Sequence, residues 1–187
     1  MKRSATILFL TFLSKLAFGQ IDENLSNSNW QPGEEKTLYG NKILRHSGKN
    51  DIGGMTNVGY ENLTQVKANL EKKADSEMWT PEKKKIYIGA YEKSAAGGMI
   101  YLYLTRLTIE AANTNMFTII VRDSTDSIEI IRKELEYDIP NTPPIGSDYW
   151  SNYDLMPIRK EFSGRVYVYI IDRLGGENNK FKFELIN

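Results

Sequence analysis

Six of the eleven tyrosines, Tyr87, Tyr91, Tyr101, Tyr103, Tyr167 and Tyr169, occupy every second position in stretches whose alternate residues are aliphatic. A phenol ring offers a flat apolar face and one hydroxyl, so a row of them suits stacking against a sugar, a flat ligand or another protein. A second aromatic group, Tyr149, Trp150 and Tyr153, lies beside Asp148, Asn152 and Asp154 in "SDYWSNYD". Rings that stack on the apolar face of a pyranose, next to amides and carboxylates that bond its hydroxyls, are the materials of a saccharide site. The candidate ligand contacts are therefore Tyr101, Tyr103, Tyr167, Tyr169, Tyr149, Trp150 and Tyr153.

Residues suited to catalysis are sparse. His46 is the single histidine and there is no cysteine, so a multi-histidine metal centre and thiolate chemistry are both ruled out. No serine lies in a nucleophile elbow, and "HSGKN" lacks the upstream glycine and the following Ser or Thr of a phosphate-binding loop. Asp123 and Asp126 in "DSTDS" lack the ligand spacing of a calcium-binding EF-hand loop and read as a hairpin turn. Among 24 acidic residues nothing selects a carboxylate pair for glycoside cleavage. No catalytic residue, metal or cofactor is assigned. The 24 basic residues balance the acids, so nucleic acid is not an expected partner, and Lys83-Lys84-Lys85 reads as a solvated run.

What would hold the rings in place is mainly β-structure. Lys85 to Lys93, Met99 to Ile109, Met116 to Arg122, Ile128 to Leu135, Val166 to Ile171 and Phe181 to Ile186 read as strands from their period of two, their β-branched content and the turns between them. Gly97-Gly98 joins the first two as a hairpin. Helix is the competing reading of the first arm, because Thr80-Pro81-Glu82 is a good helix start and Gly97 a good end. Asn62 to Met78 carries a capping box, Asn62 with Gln65, and an apolar stripe at Leu63, Val66, Leu70, Ala74 and Met78, so it predicts one amphipathic helix stopped by Pro81. From Gln20 to Tyr60 the chain is rich in Asn, Ser and Gly and reads as a loop-rich arm, with one short strand or hairpin at Leu38-Tyr39 and Ile43-Leu44. Tyr137 to Gly164 holds four of the six prolines and reads as a long connector.

At least six strands without a βαβ rhythm predict an antiparallel β-sandwich, immunoglobulin-like or jelly-roll-like, preceded by the helix and the arm. In that fold Tyr101, Tyr103, Tyr167 and Tyr169 share one sheet face, while Leu102, Leu104 and Val168 share the other. Trp150 reads as a plug at the open end of the sandwich in preference to a ligand-site ring, since a buried tryptophan is ordinary there.

The start of the chain reads as an export signal: Lys2 and Arg3, an apolar run from Ala5 to Leu13, and a small-residue cleavage site at Ala17-Phe18-Gly19. The run is too short to span a bilayer, and no later segment is long enough. The domains expected are a signal at 1–19, an arm at 20–60 and the helix with the sandwich at 61–187. The function expected is an exported, periplasmic or extracellular, non-catalytic binding or interaction module, whose partner is a glycan or another exported protein. The alternatives are a carbohydrate-active enzyme or carbohydrate-binding accessory using the aromatic connector and two carboxylates, and a structural subunit docking through its tyrosines.

Overall fold

The structure is a computed structural model that describes residues 23–26, 30–48, 54–174 and 179–186; the expected signal segment lies outside them. Nine strands form two antiparallel sheets, with two helices between the third and fourth strands. The strands are β1 (Glu35–Leu38), β2 (Asn41–Ser47), β3 (Met55–Glu61), β4 (Met99–Arg106), β5 (Phe117–Arg122), β6 (Glu129–Glu134), β7 (Trp150–Pro157), β8 (Arg165–Asp172) and β9 (Lys180–Ile186). One sheet has the order β1-β2-β9-β8-β5-β6 and the other β3-β4-β7. This is a mainly β architecture consistent with a β-sandwich.

The six-stranded sheet follows the alternation read from sequence. Val168 pairs with Phe183 on one side and Val121 on the other, and Ile170 pairs with Phe181 and Ile119. All six of these side chains are buried, so they form one continuous inner face of the kind that fixes strand register. The β5–β6 hairpin closes as expected through Asp123, whose carboxylate accepts from Thr125 Oγ1 at 2.9 Å and from the Ser127 and Ile128 amides at 3.1 Å. A carboxylate that accepts from a turn's own donors ties the loop locally.

Three parts of the chain depart from the sequence reading. The segment read as a loop-rich arm contributes a short helix at Glu23–Ser26 and three strands: β1 and β2 form the hairpin expected near Leu38-Tyr39 and Ile43-Leu44, but longer, and β3 was not expected. β3 was hidden because it is buried on both faces while carrying Thr56, Asn57 and Glu61, which give no apolar alternation. The connector contains β7, masked in the same way. Its inward residue Asn152 is buried and donates to the Ala112 and Asp138 carbonyls at 3.2 and 3.0 Å. Trp150 begins that strand and is only half-buried; the tryptophan fully buried in the core is Trp30, at 1% exposure against Phe183.

The third departure is the stretch Lys85 to Lys93, which is helix and not a hairpin arm. Helix α1 (Leu63–Ser76) has the expected capping box, with the Gln65 amide donating to Asn62 Oδ1 at 3.0 Å and Gln65 Oε1 accepting from the Asn62 amide at 2.8 Å. Its buried stripe is Val66, Leu70 and Ala74. The helix stops two residues early, and Met78 turns out at φ 51° to 88% exposure. Pro81 then opens helix α2 (Pro81–Ser94) at its first turn, where proline's missing N–H costs nothing, and Thr80 Oγ1 caps it by accepting from the Lys83 amide. Tyr87 and Tyr91 therefore leave the strand set; Tyr87 packs beside Trp79 at 4.5 Å. Lys67 pairs with Glu92 at 2.6 Å, and Lys84 lies 3.7 Å from Asp75, tying α1 to α2.

By its contacts the chain divides into two compact units. One contains Glu61–Ile100 and Leu155–Glu161, with both helices. The other contains Asp22–Tyr60, Tyr101–Asp154 and Phe162–Asn187, with the whole six-stranded sheet and most of β3, β4 and β7. Within the second unit Arg106 of β4 reaches Asp172 of β8 at 2.8 Å, and its guanidinium lies 5.1 Å from the Phe117 ring. This buried ion pair has its remaining donors used by the Met55 and Thr105 carbonyls and Thr56 Oγ1, which is the condition for a buried charge to be tolerated.

Candidate functional site

The four strand tyrosines do not share a face. Tyr101 and Tyr103 lie in β4 of the three-stranded sheet and Tyr167 and Tyr169 in β8 of the other, so Val168 is likewise in a different sheet from Leu102 and Leu104. Alternation fixes the phase of side chains along a strand, but not which sheet the strand joins. Tyr101 is 6% exposed and stacks on Tyr39 with ring centroids 4.7 Å apart. It is a core residue.

Tyr167 and Tyr169 do point to the outer side of their sheet, and cations cover them. Lys182, paired across the ladder with Tyr169, has its ammonium 4.3 Å from the Tyr167 ring and 5.6 Å from the Tyr169 ring. Lys180 lies 4.5 Å over Tyr169, and the Arg122 guanidinium 5.3 Å. An ammonium over a ring face is attracted by the ring's quadrupole, and its alkyl stem shields the edge from water. Asp126 anchors the group, accepting from the Tyr169 hydroxyl at 2.5 Å and from Lys182 Nζ at 2.8 Å. Burial opposes charge on this carboxyl, but the hydrogen bonds from Lys182 and Tyr169, with the charges of Lys182 and Arg122, outweigh it and hold Asp126 below the usual carboxylate range.

Tyr103 leads to a different place. It lines a cleft of about 690 Å³, within the unit that holds the six-stranded sheet, together with Trp30, Arg45, Thr105, Tyr149 and Ser151. Gln31, Pro32, Gly48, Gly54, Met55, Pro144 and Ser147 complete the described lining. Strand pairing explains the meeting. β4 and β7 are neighbours, so Tyr103 and Thr105 approach Tyr149 and Ser151, which stand on alternate positions either side of Trp150. The Tyr103 phenol hydrogen-bonds the Ser151 side chain; burial pushes its pKa up and that bond offsets part of the rise. Thr105 Oγ1 accepts from the Met55 amide at 3.0 Å, and Ser147 Oγ from the Tyr149 amide at 3.2 Å. Each hydroxyl keeps its own proton to donate.

Two of the seven rings singled out from sequence, Tyr103 and Tyr149, thus meet in one cleft. Tyr101, Trp150, Tyr153, Tyr167 and Tyr169 lie outside its described lining. Trp30, Arg45, Thr105, Ser147 and Ser151 were not singled out. For Arg45 a signal was present: in "NKILRHS" it falls in phase with Ile43, which places a charge on the buried side of a strand. Gly48 closes the cleft wall at φ +110°, and a Cβ there would run into the Phe181 ring, so this wall accepts only glycine.

Among the described residues no group of three or more His, Cys, Asp or Glu side chains is placed to hold a metal ion, and no helix is long and apolar enough to cross a membrane. His46 is held by Glu184 at 2.7 Å. No protein-family model matches the chain, and no curated protein matches it.

Proposed function

We propose that this chain is an exported, non-catalytic binding module of immunoglobulin-like or jelly-roll-like sandwich type, which takes a saccharide-class ligand in the cleft beside the half-buried rings of Tyr103 and Tyr149. The observation that carries this reading is the composition of the lining: aromatic rings together with the side-chain hydroxyls of Thr105, Ser147 and Ser151 and the amide of Gln31. A pyranose presents one apolar face and a rim of hydroxyls, and this lining offers a partner for each. The volume of about 690 Å³ falls within the range of small-ligand sites. The alternative, a carbohydrate-active enzyme, rests on two carboxylates flanking the scissile bond; the described lining contains neither Asp nor Glu. Glycan-array screening followed by calorimetry tests the reading. Tyr149→Ala is expected to weaken binding of the best glycan at least tenfold, about 1.4 kcal/mol, with unfolding unchanged. Equal binding by the variant would remove the cleft from the function.

Export is the second part of the proposal, and rests on the order of basic start, apolar run and small-residue site in the first 19 residues. N-terminal mass spectrometry of protein from its native compartment is expected to find Gln20 first; an intact Met1 would overturn it.

A further inference from the structure

Arg45 is the only charged side chain among the described residues lining the cleft, and it is 2% exposed. Its guanidinium donates to two neutral carbonyls, those of Trp30 and, at 2.7 Å, Gly48. Its Nε has no hydrogen-bond partner among the described residues. The nearest rings are Phe181 and Phe183, at 5.2 and 6.0 Å. The carboxylate that acts on it, Glu34, sits on an exposed turn and accepts instead from the Gln31 amide at 3.0 Å. Burial consequently lowers the Arg45 pKa from the usual arginine value, with Glu34 offsetting part of that effect.

The same unit shows what a fully satisfied buried arginine looks like. Arg106 has Asp172 as an ion-pair partner and every other donor group placed on an acceptor. Arg45 has neither a carboxylate within salt-bridge distance among the described residues nor a partner for Nε. A buried positive charge in low dielectric, set in the wall of a cleft and without a contacting counter-ion among the described residues, attracts an anion far more strongly than the same charge in water. We infer that the cleft selects an acidic saccharide, one carrying a carboxylate of the uronate type, with its anionic group on the Arg45 side and its ring against Tyr103 and Tyr149. The inference rests on the saccharide reading above and specifies its ligand.

Calorimetry or NMR titration of the purified protein with three matched short oligosaccharides tests it: one of glucuronic acid, its neutral methyl ester, and one of glucose. The acid is expected to bind about tenfold or more tighter than the ester and the glucose oligomer. That preference should shrink as salt rises from about 0.05 to 0.5 M, because mobile ions compete for the charge. Arg45→Gln should abolish the preference of the acid over the ester and the glucose oligomer; if that variant fails to fold, the wild-type comparison of acid with ester decides alone. Equal binding of acid, ester and glucose oligomer would overturn the inference and leave the saccharide cleft standing. Failure of all three to bind would overturn both.

Discussion

Tyr169 points to the outer side of its strand and is still only 6% exposed, because Lys180, Lys182 and Arg122 lie over its ring and Asp126 takes its hydroxyl. The cluster makes stability depend on acid in a defined way. Asp126 titrates in the folded chain below the value of about 3.9 that an unfolded Asp shows, so its stabilisation is complete above about pH 5 and is lost as pH falls through the folded value. Asp126→Asn is expected to lower stability by about 1–2 kcal/mol at pH 7, and the gap to wild type should close as pH drops toward about 2. Urea unfolding across that range checks it; a gap that stays constant with pH would assign the loss to packing. The outward phase of Tyr167 and Tyr169 was legible in "GRVYVYIIDR", since Val166, Val168 and Ile170 claim the core. The cations were not, because Arg122 and Lys182 become neighbours of these rings only through pairing with strands about 45 and 15 residues away.

At the scale of elements, periodicity was informative where burial is one-sided and failed where it is not. β5, β6, β8 and β9 appear within one or two residues of their expected bounds, and α1 carries its stripe and its cap. β3 and β7 were lost because Thr56, Asn57 and Asn152 sit at buried positions and hydrogen-bond there, for example Asn57 Nδ2 on the Leu25 carbonyl at 2.8 Å. For α2 two signals competed: Ile86, Ile88 and Ala90 alternate with Tyr87 and Tyr91 as in a strand, while Thr80-Pro81 starts a helix. The cap decides, since proline with a fixed φ and a threonine acceptor nucleate the first turn locally, before any long-range pairing. Ile86 is consequently exposed, which a core strand would not allow. Gly89 is a direct test of this element, because a Cβ at that position meets open space. Gly89→Ala is expected to raise stability by about 0.5–1 kcal/mol, the difference in helix propensity; a loss would place residue 89 in a conformation other than helix.

For the molecule as a whole, the mainly β, antiparallel class was readable from strand count and turn spacing, whereas the site was readable only in part. Tyr103 and Tyr149 were named because of their type, but their meeting depends on β7 standing beside β4, and β7 was concealed in a proline-rich segment. Arg45 and Trp30 come from a third, distant part of the chain, read as a loop-rich arm with one short strand or hairpin. A cleft assembled in this way has no local motif. The direct measurement is a backbone-amide NMR titration of the protein with the glucuronic acid oligosaccharide. Shifts are expected to concentrate at Arg45, Thr105, Ser147, Tyr149 and Ser151, around the 690 Å³ cleft. Shifts concentrated instead at Tyr167, Tyr169 and Lys182, with the cleft amides unmoved, would contradict the cleft as the binding site and move it to the outer face of the six-stranded sheet.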